Sequence, residues 1–462
     1  MARPASAILR RFVKLETTRL SASGPQGRAT PAPSDRVSPV KRDRIVIAGA
    51  GIAGLVAAAA TADMFDEVIV VDPDSLAGQV GAHPPRTQLH NVLTRGQRHL
   101  EALLPGFRRR FLDAGGAEGD VCLDTHVYEF GGDAFGRSLG LSIWSAPWES
   151  IWGAARALLP ANVQVRHGTT VAGLEAHGRR VGRVRLVGEN CTEVMDVAAL
   201  VDASGHGSRF DRLLDAAGVA VPRVERQRLD RWFITVRLRR PPGMVGRPDF
   251  WMTFADPPHR QVALMSPLGS DEWDLSVESQ EPFSTPPTNF EGVLAFLDEL
   301  PGPPLRPVAE AATPLGPPAV FRRREARWRH YEEIDTPLAG FFPVGDSFVS
   351  TNPVHGQGIG VAAWQASILR ESLSTGVDAA EWTQPYLKAA GRAARQAWDL
   401  DSVPVPAISI SDWVTLGQGM AANANLQRRY VGIWHLIEPV SSLHHLVRAA
   451  EAEVAVRTEG PR

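Results

Sequence analysis

One run of glycines constrains this chain more than any other feature. Residues 44–48, Arg-Ile-Val-Ile-Ala, form a short apolar stretch rich in the β-branched residues that a buried strand prefers. Gly49-Ala50-Gly51-Ile52-Ala53-Gly54 follows, then an alanine-rich helix former, and residues 67–71 give a second β-branched run closed by Asp72. Each glycine has its own task in a strand–turn–helix that holds a dinucleotide. Gly49 permits the tight turn, Gly51 lets a pyrophosphate reach the backbone, and Gly54 allows the helix to pack on the strand. The helix start offers unpaired N–H groups and about half a unit of positive charge to the phosphates. Asp72 stands 18 residues beyond Gly54, near the roughly 20 expected of a carboxylate that takes up ribose hydroxyls. A glycine-tolerant loop of an ordinary α/β domain would not set strand, helix, second strand and acid in this order. A membrane helix over residues 45–62 is excluded too, because that uncharged stretch is mostly Gly and Ala.

With 462 residues the chain can hold two or three domains. A net charge of −2 gives no electrostatic argument for nucleic acid or an anionic membrane. Cys122 and Cys191 make neither a disulfide framework nor a metal site, so a reducing cytoplasm fits best and no metal is expected. Residues 1–43 are rich in Arg, Ser, Pro and Ala. Arg10, Arg11 and Lys14 interrupt the one candidate for a secretory signal, so a disordered extension is expected there. No integral membrane segment is expected.

Beyond Asp72, Gln88 to Leu93 lead into a helix expected over about residues 94–104. Trp144, Trp148 and Trp152 are spaced four apart, the spacing of one helical face, although Pro147 interrupts it; core packing is the default for them. Residues 163–167, 170–176 and 183–187 read as short strands. Residues 198–203 read as another, ending in Asp202 and Ser204-Gly205-His206-Gly207, a second backbone turn near the dinucleotide. Strand-like runs at 232–238, 250–254, 262–265 and 272–278 suggest an antiparallel sheet inserted between two halves of the nucleotide domain. A helix is expected near 290–300. Residues 321–330, with five arginines, read as a strand of solvated side chains, some of which could meet a cofactor phosphate. A strand at 341–344 then enters Gly345-Asp346, and Asn352-Pro353-Val354-His355-Gly356-Gln357-Gly358 opens a helix, a second place where N–H groups face a ligand. The tail from about residue 381 reads as helical. The expected division is an extension at 1–43, nucleotide-binding parts at 44–220 and 321–375, a substrate domain at 221–320 and a helical region at 376–462.

With these three glycine-bearing segments in order, residues 44–450 resemble the FAD-dependent monooxygenases of the para-hydroxybenzoate hydroxylase superfamily. They look most like the branch holding squalene-epoxidase-like enzymes and polyether epoxidases. That branch typically reads "GRQLHVLL", "VDASGRGSR" and "GDAVxxFNPxYGQGM"; here the stretches begin at Arg86, Val201 and Gly345. The resemblance implies an α/β fold with a Rossmann-like FAD-binding domain of the GR2 type, an inserted antiparallel-sheet substrate domain and a helical C-terminal region. It implies that Gly49, Gly51, Ala53, Gly54 and Asp72 hold the ADP half of FAD, with His90, Val171 and Asp202 also at the cofactor. Gly345 and Asp346 would meet the ribityl hydroxyls and pyrophosphate, and Pro353, Gly356, Gln357 and Gly358 would lie along the isoalloxazine ring. His90, Asn352 and His355 are the catalytic candidates it implies. The chain departs from the pattern at Ala146 and Thr87, where many members carry arginine. That implies either weaker FAD binding or a substitute in Arg86 or Arg95.

The activity so implied is insertion of one oxygen atom from O₂ through a C4a-hydroperoxyflavin, as an epoxidation or hydroxylation. The cofactor carries the hard chemistry and the protein excludes water and places the substrate. Trp144, Trp148, Trp232, Trp251 and Trp273 are candidates to line an apolar pocket for a lipophilic natural-product-type substrate. No second glycine motif provides for a nicotinamide, so electrons would come from NADPH or NADH bound transiently, or as reduced flavin from a partner reductase. A flavin-dependent halogenase is disfavoured because no lysine occurs between Lys41 and Lys388. The same motifs leave open a flavin reductase or dehydrogenase on a prenyl group, a redox-neutral cyclase and a non-enzymatic scaffold.

Overall fold

Two runs of branched aliphatics build the centre of the molecule. The strand Arg42–Ala48 pairs in parallel with Phe65–Asp72 on one side and with Ala199–Asp202 on the other. Phe341–Pro343 extends the sheet past Ala199–Asp202, and Val163–His167 extends it past Phe65–Asp72. Ile45, Val46, Ile47, Val68, Ile69 and Val70 are wholly buried, as parallel strands covered on both faces should be. The computed structural model describes residues 42–74, 84–129, 132–133, 136–189, 191–246, 249–254, 261–279, 286–300, 304–375, 378–402 and 409–459. All belong to one unit, Pro39–Arg462. The expected N-terminal extension lies outside the described residues up to residue 41.

The helix Ile52–Thr61 is nearly all Ala, Gly and aliphatic and is buried along almost its whole surface. A buried central helix reads this way, without a polar face. It packs against the helix Gly358–Ser374. That second helix also crosses Thr94–Leu103, where Gly96 and Gly360 meet so closely that a methyl group on Gly96 would lie 2.9 Å from the Gly360 Cα.

A second, wide sheet stands apart from the parallel one. Its strands run Val349–Ser350, Ala319–Arg329, Val224–Arg239, Glu272–Ser279, Gln261–Leu268, Phe250–Phe254, Thr125–Glu129 and Gly132–Asp133, with Thr313–Pro314 paired beside Val224–Arg239. The inserted antiparallel sheet is therefore present, but its borders differ from those expected. Residue 320 falls inside the strand Ala319–Arg329, and Thr125–Glu129 joins from the first nucleotide-binding part. The 16-residue strand Val224–Arg239 takes Ala319–Arg329 along one edge, and Phe250–Phe254, otherwise an edge strand, takes Thr125–Glu129 in parallel. Along Ala319–Arg329 the arginines alternate: Arg322 and Arg324 are exposed, whereas Arg323 and Arg327 are half-buried and Arg329 is buried.

The helical spacing of the three tryptophans does not hold. Trp144 lies on the strand Ser142–Ser145, and the helix Trp148–Ala157 begins only after Pro147, whose fixed φ suits the entry to a helix. Trp144 packs with Phe107 and Phe111 in the core, as the default reading had it. The chain ends in the helices Ala379–Ser402, Ile410–Ala422, Ala424–Trp434 and Leu443–Glu459. Among the described residues no helix is long and apolar enough to cross a membrane.

The far face of the wide sheet packs on the helix Phe290–Asp298 through a core that includes wholly buried Trp273. Trp273→Ala should lower the unfolding free energy by about 3–5 kcal/mol, read as a fall in the urea midpoint at unchanged slope.

Candidate functional site

The carboxyl ends of the parallel strands open into a cavity of about 1280 Å³. It exceeds the roughly 300–1,000 Å³ of a drug-sized ligand site, leaving space for a dinucleotide and a second molecule. Gly49, Gly51, Ala53 and Asp72 line it from the first turn; Gly345, Asp346, Pro353, His355, Gly356 and Gly358 line it from the last. Residues 203–207 come between them, and His90 and Trp148 add to the wall. The two glycine-bearing helix starts, distant in sequence, thus share one cleft.

Local packing separates the three glycines of the first motif. A methyl group on Gly49, at φ +107°, would lie 2.3 Å from the Ala203 carbonyl oxygen; on Gly54 it would lie 1.8 Å from the Gly49 oxygen. A methyl group on Gly51 would meet no protein atom within 4 Å. Gly49 and Gly54 are therefore demanded by protein packing, and Gly51 leaves open space at a helix N-terminus, the cradle a phosphate requires. Asp72 Oδ2 accepts from the Ala50 N–H at 2.6 Å and Oδ1 from Asp74 at 2.9 Å, so this acid also sets the turn.

Five residues expected at the cofactor or reacting centre do not line the cavity. Gly54 faces the sheet. Val171 is buried in the core, on a strand of a separate three-stranded sheet. Asp202 is wholly buried, and its carboxylate accepts from Ser204 N–H at 3.0 Å, Ser204 Oγ at 2.5 Å and Ser208 Oγ at 2.5 Å. It orders the second turn from behind. Asn352 caps its own turn by accepting from Val354 N–H at 3.2 Å. Gln357 is buried and donates to the Trp434 carbonyl at 2.9 Å.

Strand parity explains why three of the five pocket tryptophans lie elsewhere. Directly paired residues share a face, and Phe233 pairs with both Glu278 and Phe321, while Met252 pairs with Leu264. These residues line the cavity. Trp232, Trp251 and Trp273 have the opposite parity and face away; Trp251 stacks on His126 at 4.0 Å and Trp232 lies 5.0 Å below Arg322. Trp144 is in the core, and only Trp148 of the five reaches the cavity. Its roof instead carries Trp413, Tyr430 and Trp434 from the C-terminal helices, which no local pattern in the sequence signals.

Arg86 and Arg323 stand on the cavity wall, and Arg95 does not. Arg86 lines the cavity and pairs with Asp74 at 3.2 Å. Arg95 turns away, stacked 4.0 Å over Trp364 and bonded to the Leu436 carbonyl. Arg323 lines the cavity 3.4 Å from Asp346; burial lowers its pKa and Asp346 opposes that. Ala146 is fully buried in the core cluster that holds Trp144 and Ile151. Sequence reading missed Arg231 and Glu278, a buried pair on the cavity wall. Their facing is set by the register that pairs Phe233 with Glu278, which no local pattern in the chain reveals.

Two histidines at the cavity are kept neutral by burial. His90 Nδ1 lies 2.7 Å from the Gln88 carbonyl, and burial pulls its ring down to about 4 against that bond. His435 Nδ1 meets the Thr94 N–H at 3.2 Å and Oγ1 at 2.8 Å, and burial pulls it down to about 4 as well.

No family model matches the chain. Among curated proteins it is 28% identical over 357 residues to Protein Rv3254 of Mycobacterium tuberculosis, covering 72% of this chain and 73% of that protein. Among solved structures it is similar to PqsL of Pseudomonas aeruginosa, described as a probable FAD-dependent monooxygenase: TM-score 0.58, 20% identity, 85% of this chain and 100% of that one. It is similar to 2-methyl-3-hydroxypyridine-5-carboxylic acid oxygenase at TM-score 0.59 and 20% identity, over 84% of this chain and 98% of that one. A triple mutant of the flavin-dependent brominase Bmp2 matches at TM-score 0.59 and 15% identity, over 89% and 99%. The chain has the fold of these solved structures: a parallel sheet, an antiparallel sheet and a helical C-terminal region.

Two outcomes follow from the packing. Gly54→Ala should cost about 1–3 kcal/mol, measured by urea unfolding, because the added methyl meets backbone. As pH falls from about 6.5 to about 4, unfolded chains protonate His435 while the folded chain resists, so stability falls in that window by up to about 3 kcal/mol for this residue. His435→Asn, which keeps an acceptor for Thr94, should flatten the loss; urea midpoints at about pH 7 and about pH 5 check it.

Proposed function

We propose that the chain is an FAD-dependent monooxygenase that inserts one atom of O₂ into a lipophilic substrate. The reading rests on one observation: Gly51 and Gly356 border the same cavity, with open space at Gly51 where phosphate must touch backbone. FAD, once bound and reduced, supplies the activation of O₂. The first turn and the start of the helix Ile52–Thr61 would hold its pyrophosphate, Asp72 the ribose hydroxyls and Asp346 the ribityl chain. The backbone of residues 353–358 would lie along the ring, where the N-terminus of Gly358–Ser374 stabilises negative charge. Arg323 and Arg86 supply cations that residues 87 and 146 lack.

The rest of the cavity fits the substrate. Met252, Phe254, Val262, Leu264, Trp413 and Trp434 give it apolar walls, which exclude water and favour a polyene, terpenoid or polyketide. The segment Asn352 to Gly358 favours the squalene-epoxidase-like and polyether branch, and hence epoxidation or hydroxylation. NADPH or NADH, or a partner reductase, would furnish electrons, and the two free cysteines favour a reducing compartment such as the cytoplasm. A halogenase reading finds no support in Lys388, which donates to the Glu332 carbonyl at 2.6 Å and does not line the cavity.

Purified protein should be yellow with FAD. Gly51→Ala should bind FAD at least ~tenfold more weakly while stability stays within about 0.5 kcal/mol, as read by flavin fluorescence titration and urea unfolding. Oxygen consumed should match oxygenated product one to one. Turnover without oxygen uptake would favour the reductase or cyclase, and a colourless protein that takes up no FAD would overturn the flavoprotein reading.

A further inference from the structure

The proposed reaction leaves one buried pair of charges without a task. Arg231 Nη1 and Glu278 Oε2 lie 3.6 Å apart, with each side chain 5% exposed. That separation gives attraction but exceeds a good hydrogen bond, and Glu278 Oε2 has no hydrogen-bond partner. A buried carboxylate oxygen without a donor is unusual and costly. Its neighbours directly across the two adjoining strands are Phe233 and Val262. The result is a charged notch on the cavity wall, flanked by Phe233 and Val262 and bordered by Arg323, which stands across from Arg231 and has Asp346 at 3.4 Å. Burial pushes the Glu278 carboxyl up to about 7, and Arg231 opposes the shift.

We infer that this notch is a recognition subsite for a hydroxyl group on an otherwise apolar, uncharged substrate, with the substrate O–H donating to Glu278 and Arg231 holding the carboxylate in place. The inference rests on the reading that the cavity takes an apolar substrate. Charge balance selects the ligand class. Arg231 and Glu278 cancel one another, so a carboxylate ligand would set two anions against one cation in a dry site. A ligand with no polar group would leave Oε2 unsatisfied. A neutral O–H supplies the missing donor and adds no charge, and sites built to bond a hydroxyl discriminate strongly against analogues that lack it. Glu278 is here a specificity-determining residue; no bond to the substrate is made or broken by it.

The test is calorimetric titration of the flavin-loaded full chain with 2-naphthol, 2-methoxynaphthalene and 2-naphthoate. Mildly alkaline buffer keeps naphthoate ionised and naphthol neutral. Naphthol should bind at least ~tenfold more tightly than either analogue, the scale of one hydrogen bond to a charged acceptor. Glu278→Gln preserves size and removes the negative charge beside Arg231. Naphthoate should then gain ~tenfold or more and overtake naphthol. Equal affinity of wild type for naphthol and its methyl ether, no binding of any probe, or an unchanged weak response to naphthoate in Glu278→Gln would each overturn the subsite. Oxygen uptake by the same preparation is read separately. A yellow protein that consumes no O₂ defeats the oxygenase reading and leaves the ligand ranking to decide the notch.

Discussion

The carboxyl ends of four parallel strands are held level by their register. Ala48 lies opposite Asp202 and Val71, and Asp202 lies opposite Pro343. The turns that leave these strands therefore start along one edge, at the place where the chain order reverses around Arg42–Ala48 and where open α/β sheets bind ligands. Buried Asp202 locks that alignment. Its carboxylate gathers Ser204 and Ser208, while its carbonyl takes the Val344 N–H at 2.8 Å and the Ser347 hydroxyl. Burial raises its pKa and the two serines lower it; full hydrogen bonding is what makes a buried acid tolerable. Its contribution to the site is thus mechanical: it fixes two cavity-lining turns to each other.

Features whose cause lies within a few residues were legible in the sequence. The branched runs at 45–47 and 68–71, the glycine turn, the acid at 72 and the second helix start at 358 all have local physical signatures, and the structure has them where expected. Gly54 illustrates the limit even here. The sequence pattern assigns Gly49 to the turn, Gly54 to packing and Gly51 to the phosphate, and contact distances agree. The first two answer to neighbouring backbone and, of the three, only Gly51 faces open space. The resemblance nonetheless counts Gly54 as a cofactor residue, and it does not line the cavity.

Facing and long-range closure were not legible. In the strand Val224–Arg239 an irregularity between Arg228 and Arg231, with Asp230 at φ +50°, shifts the register against Ala319–Arg329. A single-residue change of phase turns every following side chain to the other face, so residue type alone could not say whether Trp232 or Phe233 looks into the cavity. The roof is a harder case. Trp413, Tyr430 and Trp434 belong to helices whose sequence records only that they are helical. Trp434 is brought to the cavity by contacts with other segments: Gln357 bonds its carbonyl, and its ring lies 5.1 Å from that of His355.

Charge on the cavity wall follows from the same pairing. Arg323 stands directly across from Arg231, a like-charged neighbour pair that is unfavourable by itself. Each arginine has an acid on a different element: Asp346 lies 3.4 Å from Arg323, and Glu278 lies 3.6 Å from Arg231. In a site of low effective dielectric all these terms are enlarged, and the row of four formal charges sums to zero. This stretch of wall therefore carries no net formal charge toward the substrate space. Selection inside the cavity must then depend on shape and on hydrogen bonds made at contact, which neutral, apolar ligands can reach without the desolvation cost that an ion would meet.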